Sequence, residues 1–206
     1  MKTPMKSFMK TLTALVAALV LFPAAHAQTQ AQTQNWTCDA SHSNVIFTVS
    51  HLVISEVQGS FKMFDGSMTT SKSDMSDAAI SFSVNTASIN TDNEYRDKHL
   101  RSDDFFNAEK FPAMTFKSTS MEKVGANTYK LKGNLTIRDV TKPVTFNVRY
   151  GGEAKNGGGK MARGFTAETT INRMDYNLKW NKLTEAGGAM VGKDVQIRCN
   201  LEMVKN

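Results

Sequence analysis

An all-β domain is the fold this sequence predicts, an antiparallel sheet closed into a barrel or packed as a sandwich. Three observations carry the prediction. Apolar and polar residues alternate with a period of two in run after run. Turn signals such as Asp-Gly, Gly-Ala-Asn and Gly-Gly separate the runs, and a helical pattern survives only near Asn93 to Phe106.

The chain opens with "MKTPMKSFMKTLTALVAALVLFPAAHA", residues 1–27. Its lysines precede an apolar run from Leu12 to Phe22 and an Ala25-His26-Ala27 cleavage pattern, which reads as a secretory signal peptide. The run is shorter than the roughly 20 residues of a spanning helix, so an exported, periplasmic protein is expected. Residues 28–34, "QTQAQTQ", read as a disordered lead-in, and one domain follows over 35–206. The 25 Lys and Arg against 19 Asp and Glu give +6, about half of it from the three leader lysines. The remaining basic residues are scattered among acids, which argues against nucleic acid as a partner.

The strands then follow in order. "SNVIFTVSHL" sets Val45, Phe47, Val49 and His51 on one face, and "VQGSFKMFDG" sets Val57, Gly59 and Phe61 on another, ahead of a turn expected at Asp65-Gly66. "DAAISFSV" alternates Ala78, Ile80, Phe82 and Val84; after the polar excursion, Pro112 launches "AMTFKSTSM" with Met114 and Phe116. "NTYKLKGNLTIRDV" aligns Tyr129, Leu131, Gly133, Leu135 and Ile137, and "KPVTFNVRY" aligns Val144, Phe146, Val148 and Tyr150. A loop is expected at "GGEAKNGGGK", then "RGFTAETTINR" and the run Val195, Ile197, Cys199, Leu201, Met203 finish the sheet. Gly59 and Gly133 inside strand patterns predict bends or bulges. Cys38 and Cys199 both fall on apolar faces near the two ends of the domain, and in an oxidising compartment a disulfide between them is expected.

Little in the sequence carries catalysis. His42 and His51 lie nine residues apart on opposite faces of one run, roughly 30 Å of extended chain, and no H-E-x-x-H, C-x-x-C or H-x-H spacing is present, so no metal site is expected. No G-x-S-x-G elbow is present either, and no catalytic residue is assigned. What the chain does supply is large apolar side chains on the inner face: Phe47, Phe61, Phe64, Phe82, Phe116, Phe146 and Phe165, with adaptable Met63 and Met114. They either fill a solid core or line a lumen, since a barrel of about eight strands is just wide enough for one slender ligand.

Three motifs in order, "HSNVIFTVSH", "RDKHLRSDDFF" and "GNLTIRDVTKPV", make the mature domain resemble the YceI-like family, the lipocalin-like polyisoprenoid-binding proteins of bacteria. "NRMDYNL" departs from the family's more frequent Phe-Gly after the Asp. The resemblance implies a lipocalin-like antiparallel barrel holding a long isoprenoid or related lipid, often as a homodimer, with no established reaction and no cofactor beyond a quinone-like ligand. It further implies transient contact with a membrane or membrane cytochrome, and it makes Asn93 to Phe106 a short helical excursion between strands. The candidate ligand contacts are then Phe47, Val49, His51, Phe61 and Phe64, His99, Leu100, Phe105 and Phe106 of the excursion, and Met114, Phe116, Leu135 and Ile137. Arg96 and Arg101 are expected to fix the excursion by pairing with Asp97, Asp103 and Asp104, with Ser102 or Asp103 capping the turn into the phenylalanines. A solid-core protein binding a partner through its surface is the competing reading, and an enzyme using His99 on a bound lipid is a weaker third.

Overall fold

The computed structural model describes Met1 and residues 32–185 and 187–206, so the leader and most of the lead-in lie outside the described residues. The fold belongs to the unit Ala31–Asn206. Eleven strands and one α-helix follow in order: β1 (Gln34–Cys38), β2 (Asn44–His51), β3 (Ser55–Phe61), β4 (Phe64–Thr70), β5 (Ala79–Asn85), β6 (Ile89–Asn90), α1 (Glu94–Arg101), β7 (Ala113–Lys123), β8 (Thr128–Ile137), β9 (Val140–Lys155), β10 (Met161–Asn172) and β11 (Val191–Lys205). Among the described residues no helix is long and apolar enough to cross a membrane.

Register turns these eleven pieces into eight staves. β1 and β2 share one edge of β11, with Cys38 opposite Met203 and Val45 opposite Cys199, so they are two halves of one interrupted strand. β3 pairs with β2 while β4 pairs with β1, and β6 continues β5, so these are interrupted strands too. Every neighbour is antiparallel, and the pairing of β1 with both β4 and β11 closes the ring. The result is a closed up-and-down barrel of eight strands.

Several local expectations change. Gln34, expected at the end of the lead-in, is the first residue of β1, opposite Thr70. Asp65 and Gly66 are not a turn but part of β4; the break falls at Lys62–Met63, which leaves Met63 61% exposed rather than inward. Residues Gly151 to Lys155 extend β9, so the loop is shorter than the glycines suggest. Gly59 makes no bulge, whereas a register shift between Ser118 and Ser120 lies opposite Gly133.

The expected disulfide is not formed. Cys38 and Cys199 are free thiols, because the register places Cys38 opposite Met203, four residues or about 13 Å along β11 from Cys199. Even a close cross-strand approach leaves their Cα atoms beyond the roughly 7 Å a disulfide tolerates. Cys38 contacts Ser43 Oγ at 3.5 Å instead.

The interior has two halves. In one, Trp36, Met68, Met121, Tyr129 and Met203 are all 5% exposed or less, and the β4–β5 loop turns Met75 into the same core cluster. The Arg163 guanidinium lies over Trp36 at 4.2 Å from the ring centroid and is held there by Glu153 at 3.0 Å. The other half, walled by β2, β3, the start of β7 and the end of β8, holds the candidate site.

Candidate functional site

The inner faces of β2, β5, β7, β8 and β11 surround a cavity of about 150 Å³. Of its 23 lining residues only Thr115, Arg173 and Cys199 bring polar side-chain atoms. Alternation explains the wall: Tyr129, Leu131, Leu135 and Ile137 are buried along β8 while the residues between them face out. Burial pushes the Cys199 thiol up to about 12, so this wall group stays neutral.

Glycines shape the lumen. A Cβ on Gly59 would collide with the Phe47 ring, one on Gly66 with the Phe82 ring and one on Gly133 with the Phe116 ring. Gly59 and Gly66 are the cross-strand partners of Phe47 and Phe82. Each ring therefore lies flat over bare backbone against the wall, where a residue with a side chain would push it toward the axis.

The segment from Asn93 to Phe106 closes one side of this half. Asn93 caps α1 by accepting from the Arg96 amide at 3.0 Å, and Ser102 ends the helix with Oγ donating to the His99 carbonyl at 2.7 Å. Ser102 thus caps the C-terminus of α1, and its carbonyl also accepts from the Phe105 amide to start the next turn. Arg96 and Arg101 do fix this segment, but to backbone and hydroxyl rather than to the three aspartates. Arg96 donates to Thr91 Oγ1 and to its carbonyl, both at 2.7 Å, and Arg101 donates to the carbonyls of Ala87 and Ile89 and pairs with Glu94. Asp97, 2% exposed, accepts from the Thr91 amide at 2.9 Å. The helix is thereby hung on the short β6 region, and Leu100, Phe105 and Phe106 face the cavity, Phe106 meeting Phe61 edge-on at 5.7 Å.

Ten of the expected contacts line the cavity: Phe47, Val49, Phe61, Leu100, Phe105, Phe106, Met114, Phe116, Leu135 and Ile137. Three do not. His51 pairs with Val191 and Ser55 at the end of its strand, and Phe64, opposite Val84 on the inner face, stacks on Phe82 at 5.8 Å without reaching the cavity. His99 lies one ring away, edge-on to Phe105 and Trp180, with Nε2 bound to Asp104 at 2.8 Å.

Two arginines escaped the sequence reading. Arg173, 4% exposed, lines the cavity and gives its guanidinium to the carbonyls of Gly192, Leu178, Trp180 and Val191 at 2.6–3.0 Å. Burial lowers its pKa below the usual arginine range, and four carbonyl dipoles serve in place of a counter-ion. Arg138 ties the carbonyls of Asp103, Phe105 and Asn177 together, holding the phenylalanine turn to the β8–β9 corner. A long polar residue in "TIRDV" or "INRMD" looks like any surface residue until the carbonyls around it are known.

Among the described residues, Asp39, His42 and Glu202 bring donor atoms within 4.8 Å of one another at the β1–β2 break, the one trio able to hold a cation. Two of the three are already engaged with neighbours: Asp39 accepts from Ser41, and His42 Nδ1 lies 2.8 Å from Asp39 Oδ2.

A family model described as a YceI-like domain matches residues 36–203. The chain is 38% identical over 169 residues to a UPF0312 protein of Staphylococcus aureus (strain N315), covering 82% of this chain and 96% of that protein. A mutant Campylobacter jejuni YCEI protein of known structure superimposes with a TM-score of 0.65 at 31% identity, over 76% of this chain and 90% of that one. Two further structures share the fold at lower identity. BcnA of Burkholderia cenocepacia gives a TM-score of 0.68 at 23% identity over 80% and 98% of the two chains. A polyisoprenoid binding domain from Saccharophagus degradans gives 0.62 at 16% over 83% and 98%.

Proposed function

This chain belongs to the YceI-like family, and from that premise we propose that it binds a long-chain isoprenoid or related amphiphilic lipid by its tail, as a carrier or reservoir in the periplasm. The observation that carries the reading is the apolar cavity of about 150 Å³ in one half of an otherwise packed barrel. An apolar cavity of this size stays dry and takes a benzene-sized guest, which is the girth of a branched hydrocarbon segment. Leu100 and Phe106 stand on the helix and turn rather than on strands, so they are the side chains whose movement lengthens the space for a longer tail. Each Å² of tail removed from water contributes about 25 cal/mol. The polyisoprenoid-binding neighbour supports the ligand class through shared architecture, and the leader supports the compartment. Binding without turnover is favoured because the imidazole nearest the cavity, His99, has its Nε2 engaged by Asp104 and its ring packed on Phe105 and Trp180.

Native mass spectrometry of the protein exported from its own host, with organic extraction of any adduct, tests this directly. A lipid adduct is expected on the wild type, and Phe116→Asp, which puts a charge into the wall, is expected to lose it while remaining folded by circular dichroism. A consistently empty wild type that also fails to take up a fluorescent prenyl probe would overturn the reading.

A further inference from the structure

The β2–β3 hairpin ends in "HLVIS", and its tip breaks the local rules of turn chemistry. The Ile54 amide donates to the His51 carbonyl at 3.2 Å, which closes a β-turn around Leu52 and Val53. Both central residues have positive φ, 54° and 65°. That geometry favours Asn-Gly, and a β-branched valine is a pronounced outlier there. The other non-glycine residues at positive φ are Asp or Asn, which tolerate it, or have an evident compensation: Met75 is buried, and Arg138 anchors three carbonyls. Val53 and Ile54 gain nothing comparable, being 74% and 85% exposed. The neighbouring loop adds Leu183, 61% exposed, and the two are joined where the Leu52 amide donates to the Met190 carbonyl at 3.0 Å.

The tip also sits where the cavity ends. Val49 and Val191 line the cavity, and Val191 pairs with His51, the residue immediately before the turn. Backbone strain that presents bare aliphatic side chains beside the end of an apolar cavity calls for an apolar phase outside the protein. A few side chains on a convex tip fall far short of the roughly 800 Å² per partner of a stable protein interface, whereas a wedge of that size suits the acyl boundary of a bilayer. The surrounding charges are mixed: Lys179, Lys182 and Lys193 against Glu56, Glu185 and Asp194, all exposed.

We propose that the Leu52–Val53–Ile54 tip, with Leu183 beside it, inserts into the surface of a lipid bilayer and sets the cavity end against the membrane from which it fills. This rests on the lipid-binding reading and adds the place and manner of loading. Because the rim is balanced in charge, the contact is apolar and persists in high salt.

The test is flotation of the exported protein with phosphatidylethanolamine and phosphatidylglycerol vesicles, comparing wild type with Leu52→Asn/Val53→Gly, the pair this turn prefers. The variant is expected to melt at the same or a higher temperature, since its turn is relieved, and to partition onto vesicles on the order of ten-fold less, chiefly through loss of the exposed Val53 side chain. Equal flotation of both proteins, no flotation of the wild type, or loss of wild-type flotation in high salt would overturn the proposal. Uptake of a fluorescent prenyl probe added from ethanol without vesicles reads the cavity separately. Normal uptake without flotation removes the tip and keeps the cavity, while flotation that depends on the tip without uptake upholds the tip and removes the lipid-binding reading.

Discussion

The two halves of this barrel are built from the same alternating strands, yet one is solid and the other hollow. In the solid half the axis is reached by Trp36, by the methionines Met68, Met75, Met121 and Met203, and by the Arg163 guanidinium stacked on Trp36. Long or flexible side chains adapt to the space left over and fill it. In the hollow half the large residues are phenylalanines with rings laid over Gly59, Gly66 and Gly133, so their bulk is spread along the wall. What leaves a lumen in a small barrel is therefore the pairing of each aromatic ring with a bare backbone partner, more than the number of apolar residues.

That contrast is most directly broken by truncation on each side. Trp36→Ala is expected to cost about 3–5 kcal/mol in urea unfolding, since Trp36 is packed on all sides and Arg163 loses its platform. Phe47→Ala in the hollow half should cost roughly half that or less, because a face turned to a cavity has fewer atoms to lose. Equal costs would mean that the two halves are equally well packed. Gly59→Ala sharpens the same point with a smaller effect: the added methyl meets the Phe47 ring and is expected to cost about 1–3 kcal/mol and to reduce prenyl-probe uptake. Adding Phe47→Leu to it should restore much of both if the ring is what moves.

The smallest effect lies at the joint between the halves, where Asp39 and His42 bridge β1 and β2. Hydrogen bonds from Ser41 and then His42 hold the Asp39 carboxyl down to about 2, against an ordinary 3.8. Its contribution is complete above the ordinary value and is lost as pH falls toward about 2. Asp39 raises the pKa of His42 above 6.5, so the histidine's share is complete below that value and disappears as pH rises through its folded pKa. Melting temperature should therefore differ most between wild type and Asp39→Asn between pH 3.8 and 6.5, the gap closing as pH falls toward about 2 and narrowing, by the histidine's share alone, as pH rises through the His42 pKa. A constant gap across the range would show that the pair does not titrate with folding.

Period-two alternation was enough to find most of the strands, though not β4 or the two-residue β6, because burial on one face leaves a mark that survives in composition; the β8 series from Tyr129 to Ile137 is buried as the pattern requires. Most of the expected lumen contacts follow from the same parity. Parity fails where a strand breaks. Phe61 and Phe64 straddle the Lys62–Met63 interruption, so two residues three apart both face inward, Phe61 onto the cavity and Phe64 opposite Val84 against the Phe82 ring. The cysteines show a different gap: each points inward as expected, but whether they meet depends on register, which only the pairing of β1 and β11 reveals. Arg138 and Arg173 were illegible because they donate mainly to backbone carbonyls, which carry no sequence signature, and the one carboxylate partner, Asp103 on Arg138, lies 35 residues away.

The interruptions of the first six strands have a mechanical consequence. β3 meets β6 only at Ser60 and Phe61, so along Ser55 to Gly59 its outer edge has no ladder beyond it, and α1 stands nearby. Opening the ring there breaks side-chain packing, such as that of Phe106 on Phe61, rather than a row of main-chain bonds. A seam held by side chains parts and re-forms without unzipping its neighbours, so the barrel wall breathes along that flank before anywhere the ladder is continuous.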